Sequence, residues 1–333
     1  MNDPFPSSPR PISIAAVERD TRLSKDTLRV WERRYGFPSP LRDGQGERAY
    51  PLDQVEKLRL VKRLLDAGHR PGRIVPLPIA QLQQLAEQSV DAPQRGADAV
   101  LAPAELQAQL ERIRAHDQPA LRSELMRQLA RHGVFRFITE VLGPLNVAVG
   151  DAWLRGQLEV FEEHVYTETV QTVLRQALAQ IPRGDSDRSN DSAKDSDSAP
   201  RVLLATVQGE SHGLGLLMVE ALLALEGCAC VSLGVQAPVW DIARAARAFR
   251  SNIVALSFTA SMSPNPIIDS LTELRSKLPP DVPLWAGGSA PALQRRPVPG
   301  VLALTTLEEL PAALQRWRQG DPSRQVADSD LPT

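Results

Sequence analysis

The stretch that most constrains this chain is Gly209-Glu210-Ser211-His212-Gly213-Leu214-Gly215. It follows the apolar run Arg201 to Val207, which reads as a buried strand, and it leads into Leu216 to Leu225, which reads as a helix. Strand, Gly-rich turn and helix in that order are how an open α/β sheet presents a ligand site at the carboxyl ends of its strands. An acid and a His two residues apart in the turn therefore sit where ligand chemistry is done. Further strands are predicted at 229–233, 253–258, 283–286 and 301–305, with helices between them and a last one ending near Trp317. Residues 200–319 are thus expected to form a Rossmann-like, doubly wound parallel sheet.

Spacing sharpens the expectation. After Gly215, forty-one residues precede Ser257-Phe258-Thr259, and twenty-seven more precede Gly287-Gly288, each set at the end of a later predicted strand. An imidazole nitrogen ligates a borderline metal well, and its other nitrogen is normally fixed by a carboxylate, a role Glu210 is placed to fill for His212. Gly215 lets the helix N-terminus approach a bulky group, and Ser257, Gly287 and Gly288 would line one slot. The residues taken alone also fit a flavodoxin-like domain with a loop His and two ordinary Gly turns. Together, the acid-x-His-x-x-Gly turn, the later Ser and the Gly pair resemble the cobalamin-binding signature of methionine synthase, the base-off mutases and the cobalamin-dependent regulators. That resemblance implies His212 as the lower cobalt ligand and metal-binding residue, the displaced dimethylbenzimidazole in the slot, and Thr259 among the cofactor-binding residues. Glu210 stands where the enzymes have Asp; the regulators often have Glu.

At 333 residues and 42% hydrophobic content the chain has room for two or three domains with real cores. No run of eighteen apolar residues occurs, and Met1 to Arg10 carries Pro and Ser where a signal peptide has an apolar core, so a cytoplasmic protein without a membrane segment is expected. Two cysteines, Cys228 and Cys230, are too few for a structural zinc site and read as packed thiols. The net charge of -2 hides an asymmetry: between Arg22 and Arg73, thirteen Lys or Arg face seven Asp or Glu. A basic end on a near-neutral chain points to a polyanion partner for that end.

The basic end has its own pattern. A helix over 12–20 is followed by Ser24, a good N-cap, and by a helix over 25–35 with Leu28, Trp31 and Tyr35 on one face. Lys25, Arg29 and Arg33 recur at spacing four on another face, and a Gly-tipped loop carries Arg42 and Arg48 ahead of a helix over 53–67. Helix, turn, basic helix and Arg-bearing loop make a winged helix-turn-helix over 11–76; the same arginines also fit a merely solvated helix face. The run Leu28-Arg29-Val30-Trp31-Glu32-Arg33-Arg34-Tyr35-Gly36 and the wing Arg48-Ala49-Tyr50 resemble the MerR family. The Trp-Glu-Arg-Arg-Tyr-Gly variant resembles the subgroup of carotenoid and light-response repressors that includes CarA, CarH and LitR. The likeness implies that Lys25, Arg29 and Arg33 address the major groove and phosphates of double-stranded promoter DNA, with Arg42 and Arg48 on backbone or minor groove.

Residues 77–102, rich in Gln and Ala with interspersed Pro and Gly, read as a linker. From 103 to 182, helices predicted at 104–115, 119–132, 134–154 and 158–180 form a four-helix bundle. Trp153 is followed after nine residues by Glu163-His164, a pattern that fits a core Trp beside a surface acidic run and also resembles the helical cap of CarH and CarA. The latter implies Trp153 over the upper corrin face, with Glu163 and His164 holding the upper-ligand region. The light-responsive members have His directly after that Trp; here the position is Leu154, which cannot ligate cobalt. Residues 183–199, with five Ser and five Asp, read as a disordered linker, so that cap and cofactor domain would meet through the cofactor. Residues 320–333 read as a disordered tail.

The expected function is a DNA-binding transcriptional regulator, read as a repressor and not an enzyme. It would bind adenosylcobalamin between helical cap and Rossmann-like domain, assemble as a homo-oligomer (dimer or tetramer), and sense light through cobalt-carbon photolysis. Left open are a cobalamin-independent MerR-type regulator under a partner protein, a light-independent cobalamin sensor, and a methyltransferase or mutase subunit.

Overall fold

Internal contacts divide the chain into two compact units, residues Met1–Arg95 with Gly150–Glu159, and Gly96–Val149 with Val160–Thr333. The computed structural model describes residues 12–21, 23–42, 46–66, 69–89, 102–181 and 199–320 of them. The expected tail past Gly320 and nearly all of the expected linker over 183–199 lie outside the described residues.

The first unit contains β1 (Ile12–Ser13), α1 (Ile14–Thr21), α2 (Lys25–Tyr35), β2 (Leu41–Arg42), β3 (Arg48–Tyr50), α3 (Leu52–Asp66), α4 (Pro71–Ile74) and α5 (Ile79–Ser89). Ser24 starts α2 as expected, its Oγ accepting from the Thr27 amide at 3.1 Å, and Gly36 ends it in the left-handed conformation at φ 69°. The first predicted helix starts two residues later than expected, because Ile12 and Ser13 instead pair antiparallel with Tyr50 and Ala49 of the wing. Val17, Leu28, Trp31, Tyr50, Val55 and Val61 form the core. The linker expected over 77–102 is corrected at its start: α5 covers Ile79–Ser89, and its Leu82 and Ala86 are buried in this same core. The Leu-x-x-Leu-Ala spacing within a Gln-rich run supplies one apolar stripe, and packing on α3 outweighs the polar composition.

The second unit opens with α6 (Pro103–Arg114) and α7 (Gln118–Arg136), then a π-helical turn over Phe137–Leu142, α8 (Gly143–Leu154, whose last turn belongs to the first unit) and α9 (Val160–Gln180). Gly133, at φ 71° and ψ 166°, breaks the helical conformation inside α7 where a break is expected, and the expected helix over 134–154 continues through the π-helical turn: Pro144 has no N–H to give the Glu140 carbonyl, and the chain closes wider rings before it. The α/β part runs β4 (Arg201–Ala205), α10 (Leu214–Leu225), β5 (Ala229–Ser232), α11 (Val239–Ala248), β6 (Ile253–Ser257), α12 (Pro264–Lys277), β7 (Leu284–Gly287), α13 (Ala292–Arg295), β8 (Val301–Leu304) and α14 (Glu309–Arg318). All five strands are parallel in the order β5-β4-β6-β7-β8, so the chain reverses direction across the sheet between β4 and β6, the switch point at which such sheets bind ligands.

One sequence expectation fails here. The bundle does not need a cofactor to meet the α/β part: α7 and α9 pack directly on α10. Tyr166 donates to Asn146 Oδ1 at 2.5 Å, and Asn146 Nδ2 reaches the Met218 sulfur at 3.4 Å. The reason is in α10 itself, Leu-Gly-Leu-Leu-Met-Val-Glu-Ala-Leu-Leu-Ala-Leu, which is apolar almost all round and so needs cover on the side facing away from the sheet.

Candidate functional site

The loop after β4 holds Glu210 and His212, and the loop after β6 holds Thr259, on either side of the switch point. Glu210 is 1% exposed, and its carboxylate is fully engaged. One oxygen accepts from the His212 ring Nδ1 at 2.6 Å and from the His212 amide at 3.0 Å; the other accepts from the Thr259 amide and hydroxyl, both at 2.7 Å. Burial pushes the Glu210 pKa up, but the bonds from the His212 ring, from Thr259 and from the His212 amide outweigh it and hold the carboxyl below its ordinary value. An ionised carboxylate only accepts, so Nδ1 carries the proton and Nε2 is the nitrogen with a lone pair for a metal. The imidazole is half exposed, so its outer edge is accessible from solvent. Thr206 braces the loop, donating to the Glu210 carbonyl at 2.6 Å and accepting from the Gln236 amide at 2.8 Å. Ser261 meets the Thr259 hydroxyl at 2.5 Å. Neither Thr206 nor Ser261 is marked by the sequence pattern.

Beside this cluster lies an apolar cleft of about 110 Å³, lined among others by Gly215, Val219, Ser257, Trp285, Gly287 and Gly288. Its size is of the order of the ~150 Å³ apolar cavity that takes up a benzene ring. The glycines are there for space. A Cβ at Gly215 would lie 2.8 Å from Ser257 Oγ, and one at Gly288, where φ is 112°, would lie 2.1 Å from the Phe258 carbonyl oxygen. Residues that the sequence places dozens apart thus converge as two adjoining features, a braced imidazole and an apolar slot, and the donor set and slot fit a His-ligated cobalamin with a buried nucleotide base. Trp285, in the middle of β7, lines the slot and was not singled out by the sequence; in a run of small and aliphatic residues its bulk was the available signal.

The cap residues are placed differently. Trp153 belongs to the first unit, where the Arg63 guanidinium lies 5.4 Å from its ring centroid, and the neighbouring Leu154 packs against the core of that unit. Glu163 and His164 lie on α9; Glu163 accepts from the Thr167 hydroxyl at 2.8 Å, with the His164 Nε2 at 3.6 Å from its other oxygen. Burial pushes the Cys228 thiol up to about 11 and that of Cys230 higher still, so neither is a poised nucleophile.

On α2 the basic residues are less free than their spacing implies. Arg33 is exposed, Arg29 is exposed and within 3.2 Å of Asp26, and Lys25 is 3.6 Å from Glu18. Arg42 reaches across the wing to the Gly46 carbonyl at 2.9 Å. Arg48 is half buried and bonded through Nε to Glu32 of α2 at 2.9 Å, which raises the guanidinium pKa. Glu32 thereby ties the wing to the helix, a link that the spacing of like charges alone does not reveal.

The MerR HTH family regulatory protein model matches residues 12–77, and B12 binding domain models match residues 106–177 and 200–303. The HTH-type transcriptional repressor CarH of Myxococcus xanthus is 34% identical over 282 residues, covering 84% of this chain and 88% of its own. The chain belongs to the MerR-family regulators that carry B12-binding domains. A second such relative, the repressor CarA of Myxococcus xanthus, is 29% identical, covering 83% of this chain and 86% of its own. The monomethylamine corrinoid protein of Methanosarcina barkeri aligns with 64% of this chain and 99% of its own at 18% identity and a TM-score of 0.48. As a MerR-family regulator with B12-binding domains, the chain binds DNA and cobalamin and acts in transcription regulation. No helix among the described residues is long and apolar enough to cross a membrane.

Proposed function

We propose that this regulator is a cobalamin-responsive repressor whose His212 takes cobalt from below through Nε2, with the nucleotide base of the cofactor in the slot beside Gly215, Ser257, Gly287 and Gly288. The observation that carries this is the buried Glu210 carboxylate, which spends all of its acceptor sites on fixing the His212 ring and the Thr259 loop. A carboxylate held so fully by one ring and one loop is what a metal-ligating His needs and what a solvent-facing loop His does not. When bound, cobalamin would supply a cobalt ion for His212 to hold and, in the adenosyl form, a cobalt-carbon bond that light can break. In this reading His212 would be the lower ligand, and Trp153, Glu163 and His164 are the residues assigned to an upper, adenosyl group. Arg29, Arg33, Lys25, Arg42 and Arg48 form the candidate DNA set, with Arg48 positioned by Glu32.

The test is a dark titration of the purified full chain with adenosylcobalamin, followed by visible absorbance. A shift to the His-ligated spectrum is expected, and His212→Ala is expected to abolish it; an identical spectrum in both proteins would sink the reading. A gel shift on the protein's own promoter, lost in Arg29→Ala plus Arg33→Ala, separates this regulator from an enzyme subunit. Light sensing is the finer half of the proposal. Leu154 is packed into a core, so no side chain directly after Trp153 captures the photoproduct, and release of DNA on illumination would have to follow from loss of the upper group alone.

A further inference from the structure

Arg63, near the end of α3, is among the few charged residues buried in the described chain, 8% exposed. Its Nε has no hydrogen-bond partner. Its guanidinium lies 5.4 Å from the centroid of the Trp153 ring, and Nη1 enters the space a side chain at position 156 would fill: a Cβ on Gly156, at φ 72°, would be 2.9 Å away. Burial lowers the Arg63 pKa, and the nearby Glu159 carboxylate acts against it. A guanidinium taken out of water with a donor unsatisfied is costly unless its surroundings offset it. The indole face is the partner that does so, since a planar, weakly hydrated cation stacks well on Trp. Leu154 anchors the same hairpin in the core of the first unit. Two features of the segment Gly150–Glu159, the indole and the Gly turn, thus lie against one side chain of α3.

We propose that Arg63 is a positioning residue for cobalamin: it fixes the plane of Trp153, so that the affinity of the chain for adenosylcobalamin is set in part by a side chain on α3 of the DNA-binding unit. This rests on the reading above that Trp153 closes the upper side of the cofactor. Its consequence is reciprocal, because a contact through which α3 changes cofactor affinity is one through which the cofactor acts on α3.

The test uses the full chain in the dark, titrated with adenosylcobalamin and followed by visible absorbance, as wild type, Arg63→Met, Arg63→Lys, Trp153→Leu, and the double variants on the Trp153→Leu background. Arg63→Met is expected to weaken binding roughly tenfold, the size of a desolvated cation–π contact, and Arg63→Lys by less, because the cation remains and the planar stack is lost. On the Trp153→Leu background neither change at Arg63 should alter the dissociation constant by more than about twofold, since the group that Arg63 acts through is gone. A purely structural Arg63 would give the same loss on both backgrounds, and that additivity, or wild-type affinity in Arg63→Met, overturns the proposal. Circular dichroism of each protein without cofactor checks folding; if Arg63→Met lacks the wild-type helix signal, the Arg63→Lys pair carries the comparison. A wild type that shows no spectral shift at all overturns the proposed function and this inference with it, an outcome distinct from a wild type that binds and an Arg63 variant that binds equally well.

Discussion

At the scale of single residues, Glu210 does the most with the least exposure. Its folded pKa is held below the ordinary value of 4.5, so its contribution to stability is complete above that value and is lost as pH falls through the lower folded one. Wild type is therefore expected to lose stability between neutral and acid pH more steeply than Glu210→Gln, as read from urea midpoints at several pH values; parallel curves would contradict the assignment. The same Gln variant is expected to weaken cobalamin binding about tenfold to a hundredfold, the usual effect of losing the carboxylate behind a ligating His, measured by the visible titration. The two glycines of the slot should differ in kind. Gly288→Ala places a Cβ against backbone that cannot move aside, in a left-handed conformation, and should cost about 3 kcal/mol in chemical denaturation. At Gly215 the obstacle is a hydroxyl that can rotate, so Gly215→Ala should fold with near wild-type stability and bind cobalamin poorly because the slot is narrowed.

At the scale of elements, the DNA-binding half makes a prediction about charge. Each of Arg29→Ala and Arg33→Ala is expected to reduce the slope of log affinity against log salt by about 1 if the side chain neutralises a phosphate, which fluorescence anisotropy on promoter DNA measures directly. Glu32→Gln should act differently: it removes an acid from the binding face but releases Arg48, so affinity for random DNA rises while the ratio of promoter to random binding falls. An unchanged ratio would show that the wing holds its place without the pair. The elements themselves were unevenly legible. Helix α2 was readable because its cap, apolar face and terminal Gly are all local. The turn between β4 and α10 was readable for the same reason, and so was the parallel strand-helix alternation. Helix α5 was read as linker because its apolar stripe is only visible against the α3 surface that it packs on. The π-helical turn before α8 follows from one Pro, whose effect on ring size depends on what the adjoining helices demand.

At the scale of the whole molecule, the proposed switch is a change of assembly. Size-exclusion chromatography of the dark adenosylcobalamin complex is expected to give a larger species than the cofactor-free chain, and illumination is expected to reduce it; an oligomer indifferent to both cofactor and light would leave a cobalamin-binding DNA-binding protein without this switch. A ligand shifts such an equilibrium only by binding the two states unequally, so His212→Ala should erase the cofactor dependence without changing the cofactor-free size. What the amino-acid order determined by itself were the features held within a few residues of one another: the acid and His in one turn, the basic helix, the apolar strands and hence the two B12-type segments and the winged helix. Tertiary structure alone decided which distant groups meet: Thr259 with Glu210, Ser257 with Gly215, Glu32 with Arg48, Arg63 with Trp153, and the bundle with α10. The physical reason is that short-range patterning fixes backbone conformation and which face is apolar, whereas a hydrogen bond or steric contact across dozens of residues depends on strand order and helix docking, which emerge only when all the apolar faces are buried together.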